Sequence, residues 1–140
     1  MHSAYWEHFD HQADIGVRGI GPTREAAFEQ AALALTAVIV DPDRIAGEAV
    51  RHVECEAPDD ELLLAEWLNQ IIYLMATERL LFSHFEIKIE AQHLRATLYG
   101  ESLERERHQP TVEIKGATYT ALKVEQQNDG SWLAQTVVDV

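Results

Sequence analysis

The sequence predicts an α+β fold, a two-layer sandwich in which two main helices pack on one face of a mixed or antiparallel β-sheet. Alternating apolar and polar segments are twice followed by a helical apolar pattern, and further alternating segments then accumulate towards the carboxyl end. The Asn-Asp-Gly turn at 128–130 is a strong hairpin signal between the last two alternating segments. With 140 residues, the chain is expected to form one domain, 1–140.

The first strand–helix unit follows from alternation and capping. Residues 5–11 predict an extended segment that is rich in aromatic side chains. A half-buried strand follows from Asp14, with Ile15 and Val17 on the opposite face from Asp14. Thr23 is the expected N-cap of the first helix, whose many alanines indicate close packing against a sheet.

Alternation and helix-start signals also predict the second strand–helix unit and the strands of the carboxyl-terminal half. A strand at 51–56 precedes an acidic helix start at 58–61, and the wide apolar face of that helix predicts that it is mostly buried. Later alternation predicts three more strands, near 85–89, 94–98 and 112–114. A charged loop at 103–110 precedes the third of these, and a final hairpin pairs 119–125 with 132–138.

Charge and composition restrict the function classes. The formal net charge of −13 disfavours direct binding of nucleic acid, which depends on Lys and Arg, so cations or a protein with a basic face are the expected partners. The amino end has no signal-peptide pattern, no apolar run could span a bilayer, and the single cysteine permits no internal disulfide. We therefore expect a cytoplasmic monomer that is not associated with membranes.

Three carboxylates near the two ends of the sequence are the candidate site. Asp14 opens the second strand, and Asp139 lies beside the terminal carboxylate of Val140. If the last strand pairs beside the Asp14 strand, these hard oxygen groups meet and suit Ca²⁺, Mg²⁺ or Mn²⁺ rather than Zn²⁺. Asp10 is a possible additional acid.

Other candidate side chains have roles that the sequence leaves open. His11 and His108 are more simply explained as hydrogen-bonded structural residues, and Lys115 could balance the acidic site, bind a partner or only be solvated. Glu66 lies inside an apolar helix, so partial burial with a hydrogen-bond partner is expected. Cys55 is interpreted as a small core residue rather than a nucleophile. No zinc-protease, Walker-type or nucleophile-elbow motif is present.

Four separated motifs, in collinear order over nearly the whole chain, resemble the archease family. They are HQADIGVRGIG (11–21), EWLNQIIYLMATERLLF (66–82), EIKGATYTALKVE (113–125) and the closing WLAQTVVDV (132–140). Gln12 stands where the first motif usually has Thr, a difference that leaves the acidic position intact.

The resemblance implies a cytosolic, non-catalytic α+β protein that activates an RtcB-type RNA ligase in tRNA splicing or RNA repair. Such an activator promotes renewed guanylylation of the ligase and therefore multiple turnover. The family's metal site, transferred position by position, is Asp14, Asp139 and the carboxylate of Val140, with Ca²⁺ favoured over Mg²⁺ and Mn²⁺. The RNA ligase is the implied protein partner.

Two alternatives to the ligase activator remain. One is a chaperone-like modulator of a tRNA methyltransferase or another tRNA-modifying enzyme, which the sequence does not separate from the first interpretation. The other is an independent metal-dependent hydrolase, which is disfavoured because no nucleophile–base pair stands in a recognised arrangement.

Overall fold

The computed structural model describes residues 3–140, and its strands and helices confirm the α+β class. Eight strands are present in this range: β1 (Tyr5–His11), β2 (Asp14–Gly21), β3 (Ala49–Glu56), β4 (Leu80–Glu90), β5 (His93–Ser102), β6 (Gly116–Ala117), β7 (Lys123–Gln126) and β8 (Trp132–Asp139). The same range contains the helices α1 (Arg24–Ile39), α2 (Asp60–Glu78) and the short α3 (Arg105–His108), with a 3-10 turn at Pro42–Arg44. No helix in this range is long and apolar enough to span a membrane.

The strands divide between two antiparallel sheets. The first has the order β1-β2-β8-β6, with β7 also paired to β8, and the second has the order β3-β5-β4. Helix α1 packs on β1, β2 and β8 and also contacts β4 of the second sheet. The two sheets are therefore joined through a common apolar core.

Close packing of α1 fixes the position of β2. The helix starts as the sequence predicts, because the Oγ1 of Thr23 accepts the N–H of Ala26 at 3.0 Å. Gly19 of β2 lies directly against the helix, where a Cβ would come within 2.1 Å of the carbonyl oxygen of Ala27. Only glycine permits this approach, so the strand that carries Asp14 is held against a rigid helix.

The second helix is anchored at the centre of the core. Trp67 is fully buried, as the sequence predicts, and its indole N–H donates to the carbonyl oxygen of Phe28 in α1 at 3.1 Å. Its ring meets the ring of Phe85 in β4 edge to face, with centroids 5.8 Å apart. The Thr36 hydroxyl donates to the carbonyl oxygen of Phe82 at 2.8 Å. Both helices are thus tied to each other and to the second sheet.

Two predictions for 103–114 are wrong. The charged loop contains α3, and Val112 and Ile114 do not form a strand. The N–H of Thr111 instead donates to the carbonyl oxygen of Ile39 at the end of α1, at 2.9 Å. Pairing with β8 begins only near β6, where the N–H of Lys115 donates to the carbonyl oxygen of Asp139 at 2.7 Å. Val112 is exposed and Ile114 is buried, although the segment that contains them is not part of a strand.

Candidate functional site

The β1–β2 hairpin places Asp14 on the outer face of the first sheet. Val17 on the inner face is fully buried in the core, and Ile15 on the same face packs against it. Asp14 has the opposite orientation because successive strand residues alternate between faces. In the hairpin register, His11 of β1 lies directly across from Asp14.

The pairing of β2 with β8 brings Asp139 beside Asp14. Ile15 pairs with Val138 in an antiparallel register, so the next step of the same register places Asp14 across from Asp139. Directly opposed residues have Cβ atoms roughly 5 Å apart and project to the same face. Asp139 in turn pairs with Gly116 of β6. These four positions, His11, Asp14, Asp139 and Gly116, form one row across the sheet, which we call the acidic row.

The electrostatics of the acidic row are unfavourable for the protein alone. Asp14 is half-buried and Asp139 is exposed, and neither forms an ion pair within 3–140. Like charges directly opposite each other on neighbouring strands are destabilising. Within the described range, no group of three or more His, Cys, Asp or Glu side chains could hold a metal ion. The side chains alone thus offer two carboxylates, and any further oxygen ligands would come from Val140, the backbone or water.

Three other candidate residues, Asp10, Lys115 and Val140, lie near the acidic row. Asp10 pairs with Ile15, so its side chain projects to the opposite face from Asp14 and does not join the acidic row. Lys115 is exposed and is held next to Asp139 by the 2.7 Å backbone hydrogen bond. The side chain of Val140 packs against the edge of the core.

A polar and aromatic cluster beside the row fixes the three strands that carry it. The Arg18 guanidinium donates to Glu7 of β1 and to Gln135 of β8, both at 2.8 Å. It also stacks over the Phe9 ring, 4.5 Å from the ring centroid. The same ring covers Gly16, where an added Cβ would come within 2.3 Å of it. Arg18 therefore links β1, β2 and β8 on the face that presents Asp14 and Asp139.

The candidates on α2 and β3, Glu66 and Cys55, differ in their exposure to solvent. Glu66 is exposed, so the expectation of partial burial is wrong: the residue lies on the solvent side of a helix whose other face is apolar. Asn69, one turn further along α2, contacts the first sheet, where its Oδ1 accepts the N–H of Ala117 at 3.0 Å. Burial and the nearby Glu66 carboxylate raise the pKa of Cys55 to about 11, so the thiol stays protonated near neutral pH.

His108 is buried in a network that the sequence did not reveal. Its Nδ1 accepts the backbone N–H of Glu104 at 2.8 Å, so its Nε2 carries the proton that is donated to Glu101 at 2.7 Å. Arg107 contacts the other carboxylate oxygen at 2.8 Å. Burial by itself raises the pKa of Glu101, but hydrogen bonds from His108, the backbone of Ala46 and Arg107 lower it to about 2. We call these residues the Glu101 network.

The Glu101 network has a structural role. Glu101 on β5 and His108 on α3 are only 6% and 1% exposed, and the network fastens α3 to the second sheet. Glu101 follows the inward-facing Leu98 and Gly100, so alternation alone predicts a solvated side chain at this position. Its partners come from α3 and from the segment after α1, and no local sequence signal indicates either contact.

Known proteins of one family are similar to this chain over nearly its whole length. Residues 6–140 match the model of the Archease protein family (MTH1598/TM1083). An archease from Pyrococcus abyssi is 44% identical over 139 residues, which cover 96% of this chain and 98% of the relative. An archease from Methanosarcina barkeri is 36% identical over 140 residues, which cover 96% and 95%.

The fold comparison agrees with the sequence comparison. The solution structure of Methanobacterium thermoautotrophicum protein 1598 matches with a TM-score of 0.84 at 33% identity, covering 96% of this chain and 98% of that one. The family-model match, the identity to archeases over nearly the whole length and the shared fold lead to one conclusion: the chain belongs to the archease family.

Proposed function

We propose that this archease activates an RtcB-type RNA ligase in tRNA splicing or RNA repair, and that the acidic row is the site through which it acts. Family membership supports an accessory role with a protein partner. The observation that carries the proposal is the placement of Asp14 across from Asp139 on an outer sheet face. Two opposed carboxylates destabilise a sheet, so their presence is better explained by binding than by folding.

In this proposal Asp14, Asp139 and the terminal carboxylate of Val140 hold a divalent cation, with Ca²⁺ favoured and Mg²⁺ or Mn²⁺ possible. The donor set fits, because hard cations take carboxylate, backbone carbonyl and water oxygens. When bound, the cation supplies positive charge that neutralises the two aspartates and can face oxygen or phosphate groups of a partner. The Arg18 cluster keeps the carboxylate positions fixed relative to each other.

The proposed action requires no catalytic base in this chain. With a net charge of −13, the protein suits a ligase face that is basic because it handles RNA and nucleotide phosphates. If this protein binds one state of the ligase more tightly than the other, it shifts the ligase towards the state that it binds more tightly. We propose that the favoured state is the one ready for guanylylation, which accounts for multiple turnover.

The decisive experiment is multiple-turnover ligation by the cognate ligase with and without this protein. Asp14→Asn and Asp139→Asn should each abolish stimulation, because each removes half of the side-chain charge of the row. Asp10→Asn is a matched control, since Asp10 lies in the same hairpin but projects to the other face. Its stimulation should equal that of the wild type. Circular dichroism should show that all three variants remain folded.

Two outcomes would contradict the proposal. Normal stimulation by both row variants would exclude the acidic row as the site of action. Failure of the wild type to stimulate the ligase would leave the ligase role without support, and activity of a tRNA methyltransferase with and without this protein would then test the alternative role.

A separate measurement tests Val140. Adding one glycine after Val140 moves the terminal carboxylate about 3.5 Å along an extended chain. If that group is a ligand, calorimetry with Ca²⁺ and Mn²⁺ should show at least about tenfold weaker binding, since losing even an indirect supporting contact costs 10–100-fold at metal sites. Unchanged affinity would remove the terminal carboxylate from the proposed ligand set.

A further inference from the structure

A concave site that shares no lining residue with the acidic row lies between the end of α2 and the segment after α3. It is a cavity of about 380 Å³, within the usual range of ligand pockets at roughly 300–1,000 Å³. Its floor is apolar and consists of core residues, among them Ile39, Ile72, Leu80 and Ile114. Nothing in the proposed ligase role uses this cavity.

Two arginines stand at this cavity in a chain that is strongly acidic overall. Arg79 and Arg105 both line it and are both exposed. Neither guanidinium forms an ion pair or hydrogen bond with another side chain in the range 3–140. Glu113 is the one acidic residue of the lining. The cavity therefore combines an apolar floor with two available positive groups.

Arg79 occupies a backbone conformation that favours glycine. It ends α2 in the left-handed region, with φ at 53°, and its carbonyl oxygen accepts the N–H of Leu103 at 2.9 Å. Glycine is the usual residue at such a helix end, because other residues pay a steric cost there. This conformation carries a steric cost for a residue other than glycine, and a binding role of the Arg79 side chain at the cavity would offset that cost.

The wall of the cavity also offers backbone groups. The segment 112–114 lies between Thr111, which is hydrogen-bonded to Ile39 of α1, and Lys115, which is hydrogen-bonded to Asp139 of β8. Within the described range, the N–H groups of these three residues make no hydrogen bond to the protein. Val112 is 38% exposed. An extended peptide can pair with such a segment while a side chain enters the adjoining pocket.

We propose that this cavity docks an extended segment of a partner protein, in which an apolar side chain is flanked by acidic residues. The apolar side chain fills the pocket, the acidic residues meet Arg79 and Arg105, and the segment pairs with the backbone of 112–114. The row of unpaired backbone groups favours a peptide, whose own backbone can pair along the whole segment, over a small amphipathic acid, whose single carboxylate can meet only part of it. The inference does not depend on the ligase or on the acidic row.

Isotope-edited NMR of the full chain tests the inference, with an acetylated and amidated hexapeptide of alternating Leu and Asp as the probe. At 0.15 M salt, where screening limits the general repulsion between acidic molecules, we expect saturable shifts at the amides of 112–114 and the side chains of Arg79 and Arg105. The corresponding Leu and Lys hexapeptide should produce no saturable shifts at these groups.

Variants separate a docking role from a structural one. Arg79→Gly should raise the urea midpoint of unfolding by relieving the strained backbone, yet weaken probe binding about tenfold through loss of a charged hydrogen bond. Arg105→Gln should weaken binding similarly. Ala76→Trp should block the cavity from an exposed position and abolish binding. Arg95→Gln, an exposed arginine on the second sheet, is the matched control and should leave affinity unchanged.

Three results would overturn the inference: no saturable shifts with the acidic peptide, shifts that lie elsewhere, or equal weakening by Arg79→Gly and Arg95→Gln. Saturable binding of octanoate without binding of the peptide would assign the cavity to a small amphipathic acid instead. Each result can be read whether or not the protein stimulates a ligase.

Discussion

The acidic row and the Glu101 network use carboxylates in opposite ways. In the network, Glu101 is 6% exposed, and a histidine, an arginine and a backbone group all contact its carboxylate. In the acidic row, Asp14 and Asp139 stand across from each other on neighbouring strands, and neither has an ion-pair partner among the residues described. One arrangement satisfies its charge inside the protein, while the other presents charge on an outer face.

The difference separates a carboxylate that stabilises the fold from carboxylates that are available for binding. Removing a partner from a buried, fully bonded charge leaves other polar groups unsatisfied, so it is costly. Removing one of two opposed like charges relieves a repulsion, so it costs little or increases stability. Three measurements on stability can test this contrast.

The largest expected effect is on the Glu101 network. Glu101→Gln should lower the free energy of unfolding by about 3 kcal/mol at neutral pH, because it leaves Arg107 and the backbone of Ala46 without their charged acceptor. Urea unfolding followed by circular dichroism measures the change. Glu106→Gln on the exposed side of α3 is the control and should change stability by less than about 0.5 kcal/mol. A loss equal to that of the control would show that the network contributes no stability.

Acid should weaken the same network in a defined window. The folded-state pKa of Glu101 is about 2, below its ordinary value of 4.5, so the unfolded chain binds more protons between these values. The contribution of Glu101 is therefore fully present above about pH 4.5 and is lost as the pH falls towards 2. Urea midpoints measured from pH 6 to pH 2 should fall more steeply for the wild type than for Glu101→Gln. Parallel curves would contradict the assignment.

The smallest effect is expected at the acidic row, and it has the opposite sign. In buffer with EDTA, Asp139→Asn should raise the free energy of unfolding by about 0.5 kcal/mol, because it removes one of two opposed charges. Asp10→Asn should have no comparable effect, since Asp10 projects to the other face. If Asp139→Asn instead destabilises the protein in EDTA, the carboxylate has a structural partner and the contrast between the two regions fails.

Much of the local structure follows from the sequence alone. The cap at Thr23, the alternation around Asp14 and the burial of Trp67 depend on neighbouring residues or on helical periodicity, and the structure confirms all three. The final hairpin agrees in part: Lys123 pairs with Gln135 across the predicted turn, but 119–122 form a turn rather than a strand. Signals of this kind act over a few residues, so they can be interpreted without knowledge of the fold.

Long-range contacts account for the errors. The segment containing Val112 alternates like a strand, but the residues on either side of it, Thr111 and Lys115, are hydrogen-bonded to α1 and to β8. His108 is the hydrogen-bonded structural residue that the sequence suggests, but its partner Glu101 comes from another element and is not indicated by the sequence. The division of the strands into two sheets likewise depends on α1 packing against both of them.

The sequence by itself determined the α+β class, the family and the acidic residues near its two ends. Only the tertiary structure decided that Asp14 and Asp139 face each other, because their proximity results from the pairing of two strands more than a hundred residues apart in the chain. It also decided that Asp10 lies on the other face and that Glu101 is a buried structural acid. The residue type alone does not show whether a carboxylate stabilises the fold or is available for binding. Its burial, its strand register and its hydrogen-bond partners decide this, because they set the free energy of the charged group.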